Sequence, residues 1–235
     1  MALRELELTA RYDGLSGDYG NWRDLGVRAT ARLGDHLVQA ELSSQEHFRT
    51  RGMFAGLSDT YVFSPDWYGI LAVGAGNGAF FLPRYRVDAF LNKKWFAKKN
   101  LVTFVGFGYF RAPDGHVDRS TSLGFISYFS IPLVLEGGIR RNVSDPGAVR
   151  SQQSYLAASY GQHGQGLFVV RHGWGTEAYL PIAPNSSLVG FASRETTLSW
   201  RQWIGPRSGV KVELQRYQNS LFHRKGAAVT LFHEF

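Results

Sequence analysis

The chain has 235 residues, with 26 Lys and Arg against 19 Asp and Glu for a formal charge of +7, 14% aromatic residues, 27 Gly and no Cys. Disulfides and thiolate metal sites are thereby excluded, and no stretch supplies the roughly 18 apolar residues of a membrane helix. The nearest, "LGFISYFSIPLVLEGGI" at 123–139, is broken by Pro132 and Glu136 and reads as strand, tight turn, strand. The opening "MALRELELTARYD" lacks a basic segment followed by an apolar one, so no secretory leader is legible. A natural N-terminus, and with it a further domain, is expected to have been removed ahead of Met1.

From there onward the chain alternates two by two. In 22–33, Leu25, Val27, Ala29, Ala31 and Leu33 interleave with Asp24, Gly26, Arg28, Thr30 and Arg32. In 84–94, Tyr85, Val87, Ala89 and Leu91 interleave with Arg84, Arg86, Asp88, Phe90 and Asn92, and near the end Val210, Val212 and Leu214 interleave with Lys211, Glu213 and Gln215. This is the strand period, not the helical one. Fourteen strands are predicted, near 3–12, 22–33, 36–46, 52–63, 67–76, 84–96, 101–111, 119–130, 132–142, 150–160, 164–172, 194–204, 208–218 and 226–235.

Short connections such as Gly34-Asp35, "SPD" at 64–66 and "GPRS" at 205–208 alternate with longer polar ones such as "DGLSGDYGN" at 13–21 and "VSDPGAV" at 143–149. The longest, 173–193, exceeds an ordinary connection and reads as a functional loop. "GAGNG" at 74–78 has the glycines of a phosphate loop, but strands flank it, so it reads as a wall strand entering a loop. Residues 1–235 form one all-β domain. An even antiparallel count with short turns at one end fits a transmembrane up-and-down β-barrel of about fourteen strands, with twelve or sixteen as alternatives. Closure follows because lipid cannot hydrogen-bond an open sheet edge.

Alternation alone also fits a soluble sheet. Aromatic residues near strand ends favour the membrane, as two interfacial girdles. They include Tyr12, Trp22, Phe63, Trp67, Tyr68, Trp95, Phe96, Tyr109, Phe110, Tyr160, Trp203 and Phe235. The last strand, "AAVTLFHEF", places Ala227, Val229, Leu231, His233 and Phe235 on one face. Leu231, His233 and the terminal Phe235 resemble the signal by which bacterial outer-membrane barrels are recognised by their assembly machinery. His233 departs from the usual apolar choice.

Residues 191–235 resemble the end of the YaiO-like family of outer-membrane barrels in Trp203, Pro206, Arg207, Gly209 and Phe235. The resemblance implies the bacterial outer membrane as location, its lipid as surroundings, and polysaccharide or periplasmic export partners. It carries no catalytic residue.

With Phe235 toward lipid, the charged face lines the interior. The predicted pore-lining residues are Arg11, Arg28, Arg32 and Glu41 from the first strands. Arg84, Arg86, Asp88, Glu136 and Arg140 follow from the middle, and Lys211 and Glu213 from near the end. Two readings stay open: a salt-bridged filling that stiffens the wall, or a net-positive conduit whose arginines meet anionic groups. Trp174, Glu177 and Tyr179 in 173–193 are the predicted gate or plug. The seven His show no metal spacing, and no cofactor site is read. Basic residues alternate with apolar ones, which speaks against nucleic acid.

A pore or export conduit for a polar polymer or small anionic solute is therefore expected. A closed receptor or adhesin barrel and a rim hydrolase using His172 with Ser154 or Ser199 are the alternatives; the chain is not expected to be an enzyme.

Overall fold

The computed structural model describes residues 2–235. Fourteen antiparallel strands close into a barrel in which sequence neighbours are spatial neighbours and the first strand pairs with the last. They are β1 (Ala2–Leu15), β2 (Trp22–Leu33), β3 (His36–His47), β4 (Thr50–Val62), β5 (Trp67–Gly76), β6 (Tyr85–Trp95) and β7 (Leu101–Arg111). The second half comprises β8 (Val117–Tyr128), β9 (Leu133–Asp145), β10 (Val149–Gln162), β11 (Gly166–Ala183), β12 (Ser186–Trp203), β13 (Ser208–Asn219) and β14 (His223–Glu234). Each predicted strand is present; only Met1 lies outside the described residues.

The polarity of the wall is that of a membrane protein. Outward positions hold Leu25, Phe107, Leu123 and Leu231, each 60% exposed or more, while Asp13, Asn92 and Thr230 on the inward face are nearly sealed from solvent. A soluble sandwich would reverse this arrangement, so the charged face does line the interior. Inward glycines let bulky rings lie flat against the wall. A Cβ at Gly106 would collide with the ring of Phe90, and one at Gly124 with the ring of Phe104.

The turns at 34–35, 63–66, 96–100, 129–132, 163–165 and 204–207 share one end with both termini, which marks it as the periplasmic end. Tyr61, Phe63, Trp95, Phe96, Tyr160 and Phe235 face outward there. Lys93 is held between two of the girdle indoles, its Nζ 5.1 Å from the Trp67 ring and 3.8 Å from that of Trp95.

Three expectations are corrected. Residues 173–193 are not a loop, because β11 and β12 continue through them as an 18-residue pair whose register runs from Gly166↔Gln202 past Thr176↔Ala192 to Pro181↔Ser187. Glycine and proline in that stretch obscured a period of two that persists in Glu177 and Tyr179. The alternation of short and long connections is not strict either: β3 and β4 meet in a two-residue turn at 48–49, and β9 and β10 in 146–148. Finally, Trp22, Tyr68, Phe110 and Trp203 belong to the lumen and not to a girdle, since register places them on the inward face. Closeness to a strand end marks height along the wall, whereas strand parity decides the face.

Candidate functional site: the lumen

Strands about 4.8 Å apart and tilted by about 40° put opposing backbones of such a barrel roughly 28 Å apart. Long inward side chains divide this space into a filled half and an open half.

The filled half lies against β12, β13, β14, β1 and β2. Near the periplasmic end, Arg201 reaches Glu7 at 3.2 Å, Glu234 at 3.4 Å, and also Glu5. Its guanidinium stacks 3.6 Å from the Phe232 ring, and Arg28 joins Glu7 at 3.4 Å to Glu41 at 3.3 Å. One layer higher, Arg11 bonds Asp13 at 2.8 Å and Glu213 at 3.0 Å, with Gln215 beside them. Arg224 bonds Glu195 at 3.2 Å and lies 4.4 Å from the Trp22 ring and 5.0 Å from that of Tyr217. Each arginine thus meets several acceptors at once, the condition under which a shielded ion network holds together.

The open half is a cavity of about 710 Å³. On one side it is walled by Tyr68, Ile70, Phe90, Phe104 and Ile126; on the other, polar groups converge. Tyr155 donates its hydroxyl to Glu136 at 2.5 Å. Arg171 lies 3.6 Å over the Tyr155 ring and 3.8 Å from the same carboxylate. Tyr217 donates to Glu177 at 2.8 Å. The lining arginines are Arg140, Arg171 and Arg224, and the lining carboxylates Glu136, Glu177 and Glu195, so its formal charges balance. Of the two readings left open for the lumen, the balanced charge at this cavity favours paired groups over a net-positive lining: Glu136 is among the predicted lining residues, Glu195 lies on a predicted strand, and Glu177 lies in the stretch read as a loop.

Aromatic side chains cover the extracellular mouth. Phe222 is 2% exposed and packs against Tyr19 at 5.5 Å, Tyr217 at 5.8 Å and Phe48 at 6.4 Å. Phe48 touches Trp22 at 5.1 Å and Phe80 at 6.1 Å, and His47 stacks between Trp22 and Phe81. The loops at 16–21, 48–49, 77–84 and 220–222 contribute these groups from one side. From the other side the β11–β12 hairpin reaches the loop at 112–116, with the rings of Tyr179 and His116 3.8 Å apart.

The predicted site residues therefore separate by place. Glu136 and Arg140 line the cavity. Asp88 lies 3.9 Å from Arg140 and 3.4 Å from Arg86, just beside it. Arg11, Arg28, Glu41, Lys211 and Glu213 belong to the filled half. Arg32 bonds the Gly34 carbonyl at the periplasmic rim, and Arg84 precedes β6 at the other rim. Of the predicted gate, Glu177 and Tyr179 reach inward over the mouth, whereas Trp174 is on the outer face, stacked 5.7 Å from His172. Leu231, His233 and Phe235 face outward, and His233 bonds the Ser208 hydroxyl at 2.7 Å with its ring 4.7 Å from that of Phe235. The departure from the apolar pattern at His233 thus has a local partner. Ser199 faces the lumen while His172 and Ser154 face outward, and His172 Nδ1 bonds Thr196 at 2.8 Å, so His172 and Ser199 do not form a pair. Sequence reasoning missed Tyr155, Arg171, Arg201 and Arg224, which only their register gathers.

The YaiO membrane beta barrel domain matches residues 3–180. The chain belongs to this family. The stretch that first resembled it, 191–235, lies beyond the matched residues. No curated protein matches the chain in sequence. Among solved structures, this YaiO barrel is similar to the "CymD monoaromatic hydrocarbon channel" (8% identity, 100% of this chain and 89% of that one, TM-score 0.68). It is also similar to the Pseudomonas putida toluene transporter TodX (12%, 99% and 89%, 0.60) and to the "Bacterial polysaccharide outer membrane secretin" (12%, 99% and 98%, 0.59). At such identity the likeness is one of fold. Family and fold together make the chain a bacterial outer-membrane β-barrel.

Proposed function

We propose that the barrel is a channel for small, uncharged, polar solutes with a flat ring face, sugars foremost. The observation that carries this reading is the lumenal cavity of about 710 Å³, with aromatic walls and a charge-balanced polar side. That volume falls within the roughly 300–1,000 Å³ of ordinary small-ligand pockets. Balanced charge gives an anion no net attraction, while paired Arg, Glu and Tyr groups supply the donors and acceptors that hydroxyls need. TodX and CymD are named for aromatic hydrocarbons, and the ring-lined wall has that character; the Glu136–Tyr155–Arg171 group argues for a hydroxylated solute instead.

A second reading, passage of a polysaccharide, draws on the same lining, since successive sugar rings offer it the same surfaces. The structural likeness to the polysaccharide secretin's barrel lends it support. Recognition of Leu231, His233 and Phe235 by the assembly machinery is proposed alongside.

Liposome swelling tests the function. Reconstituted barrels are expected to admit mono- and disaccharides, and Arg171→Gln together with Tyr155→Phe to slow disaccharide entry about tenfold. Equal rates for the variant, or no sugar entry at all, overturn the reading. Passage of long dextran chains would select the polymer.

A further inference from the structure

The inward strand positions hold at least as many carboxylates as cations, so the formal charge of +7 resides elsewhere. Much of it is on the outward face at the extracellular end. On β14 the outward run Leu231, Val229, Ala227 gives way to Lys225; on β13, Val212 and Leu214 give way to Arg216; on β12, Leu198 and Thr196 give way to Arg194. The change occurs at the same height on three adjacent strands. That height is the boundary between the hydrocarbon and headgroup regions of the outer leaflet.

Register brings these cations together. Arg216 stands directly opposite Lys225, and Arg194 is opposite Gln218, one outward step beyond Arg216. All three are exposed, and among the described residues none of them forms an ion pair. Of the other outward cations at this end, Arg51 has Glu46 at 2.9 Å and Arg119 has Asp145 at 2.5 Å, while Arg23, Arg141 and Arg150 stand opposite Glu46, Gln152 and Val143, so none of them faces a second cation as Arg216 faces Lys225. Like charges facing each other across a strand pair are unfavourable unless an anion lies between them. Arginine offers a planar fork that matches phosphate oxygens, and basic groups beside the hydrocarbon boundary are drawn to anionic lipid heads.

We propose that Arg194, Arg216 and Lys225 form a binding site for the phosphates of a phosphorylated glycolipid of the outer leaflet, with its acyl chains along Leu198, Leu214 and Val229. This site is on the opposite side of the wall from the lumen and is independent of the solute. Its ligand is held by two phosphate-directed forks and an ammonium, so removing either the phosphates or the cations abolishes retention. A single-phosphate phospholipid occupies only part of it.

Native mass spectrometry of the detergent-purified barrel, incubated with bisphosphorylated lipid A, tests this. Wild type is expected to retain the lipid, and Arg216→Gln with Lys225→Gln to retain at least tenfold less, while heat-modifiable migration confirms that the variant is folded. Lys93→Gln, at the periplasmic girdle, is expected to retain lipid A as wild type does. Enzymatically dephosphorylated lipid A is expected to be lost from wild type as well. Equal retention by the double variant, equal retention of the dephosphorylated lipid, or equal retention of phosphatidylglycerol overturns the proposal. Should the double variant not fold, the dephosphorylated and phosphatidylglycerol arms on wild type still decide it.

Discussion

Phe48 and Arg49 form the whole β3–β4 turn with φ of 51° and 63°. Both angles lie in the left-handed region that glycine and asparagine occupy readily and that costs other residues about 1–2 kcal/mol each. The Phe48 ring is thereby carried into the aromatic group at the mouth. Phe48→Gly removes the ring while relieving the backbone, so the folded fraction on a heat-modifiability gel is expected to hold. Single-channel conductance is expected to rise severalfold; an unchanged value would mean the ring does not obstruct entry. Arg201 presents the opposite case, one cation serving Glu5, Glu7 and Glu234. Arg201→Met leaves those carboxylates facing one another, and urea unfolding in lipid vesicles is expected to show a loss of about 3 kcal/mol. Glu234→Gln in the same background should recover part of it.

Among the elements, the β11–β12 pair stands apart because it outreaches its neighbours and bends over the mouth through Tyr179 and His116. Thr176 is opposite Ala192, so replacing 177–191 with Asn-Gly closes the hairpin at that rung with a turn suited to its twist. The shortened barrel is expected to fold with a near-native melting temperature and a larger conductance. Conductance equal to the full chain's would remove the hairpin from the entry route. At the β1–β14 seam, a Cβ on Gly226 would fall on the Asp13 carboxylate beneath Arg11. Gly226→Ala is expected to lower the yield of the compact, heat-modifiable form, because that seam closes the sheet and an open edge has no partner in lipid.

For the molecule as a whole, charge is sorted by face: paired inside, balanced at the cavity, and in cationic excess on the outer face near the extracellular end. A channel with such a lining is expected to show a reversal potential near zero in a potassium chloride gradient, despite a sequence pI near 9.7. Strong anion selectivity would place the free arginines in the conduction path instead. The strand count and the outward face of Leu25, Val229 and Leu231 were legible in the sequence because alternation is local: one residue's face fixes that of its neighbours. The stretch 173–193 was not legible as strand, because its glycines and prolines mimic a loop, and Trp22 and Trp203 were misplaced because nearness to a strand end does not reveal a face. By itself, then, the sequence determined a closed membrane wall with its charged side inward. Which charges meet depended on closure and register, since Arg11 and Glu213 lie 202 residues apart and Arg201 and Glu5 lie 196 apart. Only the folded barrel brings such pairs together, and so only the tertiary structure decided which part of the lumen is filled and which is left open.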